Sequence, residues 1–193
     1  MGKGKSGEEI QNKVKMHTFS PVLRYLCNIL KQGILKSLTD MIEIGDKAPE
    51  VLGRNERGEE VLLSQFKGKK LVLYFYPKDM TSGCTAEACS LRDGYADLRK
   101  QGYEVVGVSV DSEASHQKFI EKHDLPFSLI ADTDHQLVEA FGVWAEKSMY
   151  GRKYMGTLRT TFIINEEGVV EQVFQPKQIK TKEHAGQILA RKD

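Results

Sequence analysis

Two cysteines lie five residues apart in a stretch that follows an apolar run. Cys84 and Cys89 come after residues 71–76, which are apolar throughout, and they open a segment whose apolar residues recur at helical spacing. Extending this spacing backward reaches Cys84, so we expect its side chain to face the interior. A cysteine near the start of a helix lies close to unpaired N–H groups and to the positive end of the helix dipole, which favours the thiolate. Cys84 is therefore a candidate nucleophile, and the alternative is a buried structural cysteine.

The spacing of the two cysteines limits what they can do together. On an ideal helix, Cα atoms five residues apart are separated by about 8 to 9 Å. A disulfide requires less than about 7 Å. If Cys84 and Cys89 share an intact helix, they can bond only after its first turns unwind, unlike the Cys-x-x-Cys of dithiol exchange proteins. The arrangement favours a reaction in two steps, in which Cys84 is oxidised in a folded pocket and Cys89 attacks after the helix opens.

Three residues around this position form a recognisable pattern. Pro77, Thr81 and Cys84 fit the sequence Pro-x-x-x-Thr-x-x-Cys, which is the pattern of the peroxiredoxins. Residues 83–93 resemble the Q-type branch of that family, the bacterioferritin comigratory proteins. Ser82 is a difference, because the branch usually carries proline there, but the change removes no reacting group.

The likeness to the Q-type peroxiredoxins extends beyond the cysteines. Residues 150–156 and 159–164 also resemble that branch, and the similar region runs from about Met41 to the C-terminus. The resemblance implies a thiol-dependent peroxidase that reduces hydrogen peroxide and organic hydroperoxides through a sulfenic acid on Cys84. Cys89 would then resolve this acid as a disulfide, and thioredoxin or a similar dithiol protein would reduce the disulfide. The expected state is a monomer or weak dimer.

Further residues are expected around the reacting sulfur. The Thr81 hydroxyl can donate to one peroxide oxygen while accepting from the other, although a helix cap is an equally good interpretation. Arg159 offers a fixed positive charge and several donors, and the resemblance assigns it to the thiolate of Cys84; otherwise it would be a surface arginine. Pro77 ends the strand, and we expect it to shape the pocket. Glu87 is interpreted as structural, placed in the first helical turn where an acid suits the dipole.

Two other classes of function remain open. A thiol–disulfide exchange protein would share the fold, but residues 84–87 lack a second cysteine at the required place. A redox-sensing or holdase module could use the same disulfide as a switch, and it would differ by failing to turn over peroxide with a reductant.

The histidines offer no partner for the candidate nucleophile. We expect four of them in surface helices and one in the N-terminal segment: His116, His123, His135, His184 and His17. None lies in a pattern that would supply a base to Cys84, which disfavours a cysteine hydrolase. No cysteine has the spacing of a zinc site with histidine, and no metal or cofactor is expected.

The composition is that of an ordinary globular protein. The 193 residues are 40% hydrophobic and 28% charged, with a net charge of +1, so the overall charge does not indicate nucleic-acid binding. No run of about 18 apolar residues is present, so no membrane-spanning helix is expected. Three cysteines in a chain of this length do not form a disulfide framework, and we therefore expect a reducing compartment, the cytoplasm.

Residues 1–40 differ from the remainder and form an expected N-terminal extension to a peroxiredoxin domain at 41–193. They hold seven Lys or Arg residues against three acidic ones, and residues 22–38 show an amphipathic helical pattern. Three interpretations remain: a misassigned start before Met41, a targeting or membrane-surface helix, and a helix packed on the domain. Cys27 lies in this pattern and is interpreted as a small hydrophobic residue.

The remaining elements should place these residues around one sheet. Apolar runs and turn residues predict extended pieces at 44–49 and 50–63, a helical turn at 64–68, and core strands at 71–76, 103–110, 127–131, 159–164 and 169–174. Helices are predicted at 84–101, after a cap within residues 111–113, after Asp132 or Asp134, and at 182–190. Two β-α-β units followed by a hairpin and a helix predict an α/β fold with a central mixed sheet flanked by helices. Together with the position of Cys84, this order resembles the thioredoxin-like fold.

Overall fold

The structure is a computed structural model that describes residues 42–149 and 151–191. Its helices and strands, numbered in chain order, are β1 (Val51–Arg54), β2 (Glu60–Leu62), β3 (Lys70–Phe75), α1 (Ser82–Asp93), α2 (Tyr95–Lys100), β4 (Tyr103–Ser109), α3 (Glu113–His123), β5 (Leu129–Ala131), α4 (Gln136–Ala140), β6 (Trp144–Met149), β7 (Arg152–Thr157), β8 (Thr160–Ile164), β9 (Val170–Phe174) and α5 (His184–Leu189). The central sheet has five strands in the order β5-β4-β3-β8-β9. Strands β3, β4 and β5 are parallel, whereas β8 is antiparallel to β3 and β9. This mixed sheet with flanking helices confirms the expected fold class.

Strand β3 lies at the middle of the sheet and is buried on both faces. Leu73 and Phe75 pack on one face, in a core cluster with β1, β2 and α4. Tyr74 and Tyr76 pack on the other face, in a second cluster to which α1, α2, α3 and α5 contribute. Because both faces are covered, every position of this strand favours an apolar or aromatic side chain. Burial of both faces of this strand explains the unbroken apolar run at residues 71–76.

The helix that follows β3 differs from the prediction. Instead of one helix over 84–101, α1 ends at Asp93 and α2 begins at Tyr95, with Gly94 between them. A Cβ atom on Gly94 would lie 2.5 Å from the Cβ of Ala185, so α5 packs against the break more closely than any side chain would allow. Gly94 therefore divides the predicted helix into two.

A hairpin that the sequence did not predict precedes β8. Strands β6 and β7 pair in an antiparallel ladder in which Trp144 is opposite Thr157 and Lys147 is opposite Tyr154. Most of β7 is exposed, so its residues are mixed in polarity and show no alternation. Hydrophobic patterning predicts a strand only where one face is buried, and here that signal is missing.

Two helix starts agree with their predicted caps. The Ser112 side chain accepts a hydrogen bond from the N–H of Ser115 at the start of α3. The Asp132 carboxylate accepts from the N–H groups of Leu137 and Val138, at 3.0 and 2.7 Å. Asp132, rather than Asp134, is therefore the residue that stabilises the start of α4.

Other boundaries differ by a few residues. The third core strand begins at Leu129 rather than at residue 127, and the last helix begins at His184 rather than at residue 182. The predicted helical turn after the first hairpin is a 3-10 helix, Leu63–Phe66. The predictions for residues 1–40, including those for Cys27 and His17, lie outside the described residues. Within the described part of the chain, no helix combines the length and apolar content needed to cross a bilayer.

Candidate active site

Cys84 lies in the first turn of α1, directly after the loop that leaves β3. Its side chain is 1% exposed and belongs to the same core cluster as Ala88 and Leu91. The N–H of Thr85 donates to the carbonyl of Thr81 at 2.8 Å, so regular helical bonding begins one residue after the cysteine. The thiol therefore faces inward at the N-terminal end of a helix, as the sequence predicts.

Arg159 reaches this thiol from the strand beside β3. Thr160, the next residue, pairs with Phe75 at the end of β3, so Arg159 lies directly before β8 and beside the point at which the chain leaves β3 toward α1. Its Nη2 donates to the sulfur of Cys84 at 3.2 Å. The same nitrogen would lie 3.4 Å from a Cβ on Gly83, so the guanidinium lies close against the first helical turn. Its side chain is 17% exposed, so most of it is shielded from solvent.

Glu87 holds the other side of that guanidinium. Its carboxylate accepts a hydrogen bond from Nη1 of Arg159 and is fully buried. Burial raises the pKa of Glu87 to about 7, because the loss of hydration outweighs the opposing effect of the Arg159 charge. The first-turn placement of Glu87 was wrong, since the first turn of α1 contains no acid. Its contact with Arg159 was missed, although the three-residue spacing from Cys84 places both on one helix face.

Thr81 and Pro77 lie in the loop between β3 and α1. Thr81 is the N-cap residue of α1, but its side chain makes no capping hydrogen bond to the helix. Its hydroxyl instead donates to the carbonyl of Lys78 at 3.1 Å, and the residue is exposed. Pro77 is partly buried and follows Tyr76, whose N–H still bonds to the carbonyl of Val108 in β4. The proline therefore marks the point at which the chain leaves the sheet.

Cys89 lies on the same continuous helix as Cys84. Both are free thiols, and Cys89 is partly exposed. On such a helix the two Cα atoms are separated by about 8 to 9 Å, beyond the reach of a disulfide. The folded helix therefore keeps the two sulfurs apart, as the sequence predicts.

Residues 44–173, which include this arrangement of cysteine, arginine and threonine, match the AhpC/TSA family. The peroxiredoxin Bcp of Bacillus subtilis (strain 168) is 48% identical over 148 residues, which are 77% of this chain and 93% of that protein. Its counterpart in Escherichia coli (strain K12) is 43% identical over 148 residues, covering 77% of this chain and 94% of its own. This chain belongs to the peroxiredoxins.

Solved structures give the same result. Peroxiredoxin Q of Xanthomonas campestris has a TM-score of 0.68 and 36% identity, with 77% of this chain and 93% of that chain covered. A structure of the bacterioferritin comigratory protein of the same organism, described for its alkyl peroxide reduction activity, has a TM-score of 0.68 and 35% identity, with 77% and 94% covered. The peroxiredoxin is thus of the Q type, a thiol-dependent peroxidase with a peroxide substrate and a thiol reductant.

The unpredicted hairpin brings a second cation toward the thiol of the peroxiredoxin. Lys147 on β6 is partly buried, and its ammonium donates to the carbonyl of Thr157 at 3.0 Å. Burial and the positive charge of Arg159 lower the pKa of Lys147, while the sulfur of Cys84 acts in the opposite direction. No sequence signal identified this lysine, because the strand that carries it was not predicted.

Two histidines of the peroxiredoxin are buried, so the prediction that they lie on surface helices was wrong. His116 and His184 are fully buried rather than in surface positions. The ring of His116 contacts the carboxylate of Asp79 at 2.9 Å, and that of His184 contacts the hydroxyl of Thr161 at 2.8 Å. Helical periodicity shows which face of the helix a histidine occupies. Whether a polar partner is present for it in the interior depends on residues that are distant in the sequence. Among the described residues, no group of three or more His, Cys, Asp or Glu side chains could hold a metal ion.

Proposed function

We propose that Cys84 is the cysteine that attacks the peroxide. Its thiolate forms a bond to one peroxide oxygen, the O–O bond breaks, and the other oxygen leaves as hydroxide or alkoxide. Cys84 becomes a sulfenic acid. The observation that carries this proposal is the 3.2 Å contact between Nη2 of Arg159 and the sulfur of this helix N-terminal cysteine, because a charged donor stabilises a thiolate.

Arg159 and Thr81 are proposed to act on the oxygens. Complete ionisation of an ordinary thiol raises the thiolate fraction at pH 7 by only about thirtyfold, so the remaining acceleration comes from stabilising the charge on the departing oxygen. Arg159 has its guanidinium oriented by Glu87 and directed at the sulfur. The Thr81 hydroxyl donates a hydrogen bond to the carbonyl of Lys78, which leaves the lone pairs of its oxygen able to accept a hydrogen bond from the O–H of a bound peroxide. Pro77 shapes the entrance from the strand side.

Cys89 is proposed to resolve the oxidised cysteine. After the first turns of α1 unwind, its thiolate attacks the sulfur of the Cys84 sulfenic acid, a disulfide forms, and the hydroxyl group leaves as water after protonation. Thioredoxin or a similar dithiol protein then reduces the disulfide. The alkyl peroxide reduction described for the Xanthomonas protein supports organic hydroperoxides as substrates beside hydrogen peroxide.

We place this enzyme in the cytoplasm, as a monomer or weak dimer. The free state of Cys84 and Cys89 is compatible with a reducing compartment. The few cysteines of the sequence point in the same direction, since disulfide-stabilised secreted domains use many more.

One experiment tests the two-step reaction. Reduced protein receives one equivalent of hydrogen peroxide, and its disulfides are mapped by mass analysis of peptides under non-reducing conditions. A link between Cys84 and Cys89 is the expected product. A link to Cys27, or a sulfinic acid on Cys84 with Cys89 free, would contradict the proposed resolving step. Turnover with thioredoxin, thioredoxin reductase and NADPH tests the reductant separately.

A further inference from the structure

The loop that carries Pro77 and Thr81 contains a buried carboxylate. Asp79 is 4% exposed. Its Oδ1 accepts a hydrogen bond from the hydroxyl of Tyr76 at 2.8 Å, and its Oδ2 accepts one from the hydroxyl of Ser115 at 2.7 Å. A buried side chain with this many partners fixes its own segment of backbone.

Asp79 is also bound through its backbone and by a histidine. Its N–H donates to Oδ2 of Asp111 at 2.9 Å, just beyond the end of β4. Its Oδ2 lies 2.9 Å from Nδ1 of His116 on α3. These contacts tie the middle of the loop to the β4 side of β3, whereas Arg159 lies on the β8 side.

The buried histidine faces acceptors on both ring nitrogens. Nδ1 of His116 is directed at the carboxylate of Asp79, and Nε2 lies 3.1 Å from the carbonyl of Ile130 in β5. A carboxylate and a carbonyl are both acceptors, so each ring nitrogen of His116 lies at hydrogen-bonding distance from an acceptor. Burial would raise the pKa of Asp79, but the hydrogen bonds and charge interaction with His116, and the hydrogen bonds from Ser115 and Tyr76, outweigh it and lower that pKa. Asp79 and His116 therefore form a buried hydrogen-bonded pair.

The buried Asp79–His116 pair, here called the anchor, constrains the next residue of the loop, Met80. Met80 has a φ of 59°, in the left-handed region that side chains other than glycine rarely occupy. It connects the anchored Asp79 to Thr81, the N-cap residue of α1. A strained residue between two fixed neighbours persists only because both ends are held. The position of Thr81 relative to the cysteine therefore depends on Asp79.

We propose that the buried Asp79–His116 pair positions the peroxide-binding loop, residues 77–81, for the oxidation of Cys84. The inference rests on the proposed roles of Cys84 and Thr81. Arg159 holds the sulfur of Cys84, and the Asp79–His116 pair holds the loop from which Thr81 meets the peroxide. Both members of the pair are positioning residues, since neither acts on the substrate directly.

The anchor is independent of the helix that must unwind. The residues that bind Asp79 and His116 belong to α3, to β5, and to the chain segments that directly follow β3 and β4. The loop therefore stays fixed while α1 opens for Cys89, and the same site forms again when the helix refolds after reduction. The anchor rebuilds the peroxide site in each catalytic cycle.

Two substitutions of one residue separate the contacts of the histidine. In His116→Asn the amide nitrogen occupies about the place of Nδ1 and can donate to Asp79, whereas in His116→Gln it occupies that of Nε2 and can donate only to the carbonyl of Ile130. Both variants lose the imidazole ring. They should therefore be similarly destabilised, as measured by thermal unfolding, but they should differ in how well they position the peroxide-binding loop.

Two rates are measured on the reduced proteins. One is the second-order rate constant for oxidation of Cys84 by hydrogen peroxide, and the other is its alkylation by iodoacetamide, which requires the thiolate but no bound peroxide. In His116→Gln we expect peroxide oxidation to slow by about tenfold or more, in keeping with the cost of a misplaced group, with alkylation within about twofold of wild type. In His116→Asn we expect peroxide oxidation within about threefold of wild type.

Three results would overturn the positioning role. They are peroxide oxidation at the wild-type rate in His116→Gln, equal slowing in both variants, and alkylation that falls in parallel with peroxide oxidation. If His116→Gln does not fold, Asp79→Asn decides, because it keeps the volume and the Tyr76 contact but puts an amide nitrogen in place of the Oδ2 acceptor that faces His116 and Ser115. It too should be slow with peroxide and normal in alkylation, and a wild-type peroxide rate would refute the inference. If peroxide does not oxidise Cys84 in the wild-type protein, the proposed function itself fails with it.

Discussion

Glu87 and Arg159 form a partly buried ion pair within one helical turn of the Cys84 sulfur. One guanidinium nitrogen bonds to the carboxylate of Glu87 and the other to the thiol of Cys84. The arginine thus has a partner on each side, and its planar group is fixed in direction as well as in place. A charge fixed in this way costs no reorganisation when negative charge moves from sulfur to oxygen during the reaction.

Removing the guanidinium should slow the peroxide step. We expect Arg159→Ala to lower the second-order rate constant with hydrogen peroxide by about 100-fold or more, the usual effect of losing one preorganised donor. Arg159→Lys keeps the charge but not the two-sided geometry, so it should lie between the alanine variant and wild type. Stopped-flow fluorescence of the single Trp144, or quenched mixing followed by mass analysis, measures the rate. An alanine variant as fast as wild type would remove Arg159 from the reaction.

Neutralising Glu87 should have an effect that depends on pH. The pKa of Glu87 is about 7, so in the wild-type protein the group is mostly ionised at pH 8 and mostly neutral at pH 6. Glu87→Gln is neutral throughout and resembles the protonated state. We therefore expect the ratio of wild-type to Glu87→Gln peroxide rates to rise from near one at pH 6 to about tenfold at pH 8. Using the ratio cancels the ionisation of the thiol, and a ratio that stays constant across this range would contradict the role of Glu87.

The sequence predicted the cysteine side of the site better than the rest. Cys84 follows local rules of burial and periodicity and faces the interior as expected, although the helix predicted after β3 is divided in two at Gly94. Glu87 contacts a residue 72 positions away in the chain, and helix-dipole reasoning about its own segment could not identify that contact. Lys147 was missed because its strand is exposed and gives no alternating pattern, and His116 because its buried partner Asp79 lies in a distant loop. Local patterns predict elements, whereas buried polar pairs depend on which elements meet.

Removing the second cysteine should stop turnover after one reaction. In Cys89→Ser, Cys84 can still be oxidised, so about one equivalent of peroxide should be consumed per protein. Further consumption with thioredoxin, its reductase and NADPH should cease, because no disulfide is presented to the reductant. NADPH oxidation and trapping of the sulfenic acid measure the two parts. Sustained turnover at the wild-type rate would mean that another thiol resolves Cys84.

His184 should make the protein less stable in acid. Burial lowers the pKa of His184 from 6.5 to about 4, and its hydrogen bonds to Thr161 and Gln187 fit a neutral ring. Between these two values the unfolded chain binds a proton that the folded protein does not, so stability rises with pH across this window and is lost as pH falls. The full effect is about 3 kcal/mol, from a shift of roughly two and a half pKa units.

The difference in unfolding free energy between wild type and His184→Asn isolates the contribution of His184 to stability. Glu87, whose pKa is raised, acts in the opposite sense, since its folded form binds the extra proton and stability falls as pH rises from about 4.5 to 7. Subtracting the unfolding free energy of His184→Asn from that of wild type removes the Glu87 contribution. The difference, measured by urea unfolding at several pH values, should increase from pH 4.5 to 6.5. A flat difference would show that His184 is not held neutral.

Ser90 should limit how far α1 opens. Its hydroxyl accepts a hydrogen bond from the N–H of Ala185 at 3.2 Å, which ties the helix just beyond Cys89 to the start of α5. If α1 unwinds far enough to free Cys89, the unwinding reaches the residue next to the Ser90–Ala185 hydrogen bond. Removing a hydrogen bond of this kind costs about 1 kcal/mol, which corresponds to about fivefold in the population of the open helix. We therefore expect Ser90→Ala to form the Cys84–Cys89 disulfide about fivefold faster after peroxide is added.

Overoxidation gives an independent measure of the same opening. A helix that opens more often presents Cys89 to the sulfenic acid sooner, so Ser90→Ala should accumulate less Cys84 sulfinic acid at high peroxide than wild type. Lys100→Ala is a matched control, because it removes only an exposed ion pair with Asp97 on the neighbouring helix; its disulfide rate should equal that of wild type. A Ser90→Ala protein with unchanged disulfide formation would show that the helix opens only in its first turn, before the Ser90 link is strained. The resolving step would then be governed by the Arg159 contact with Cys84 rather than by the packing of α1 on α5.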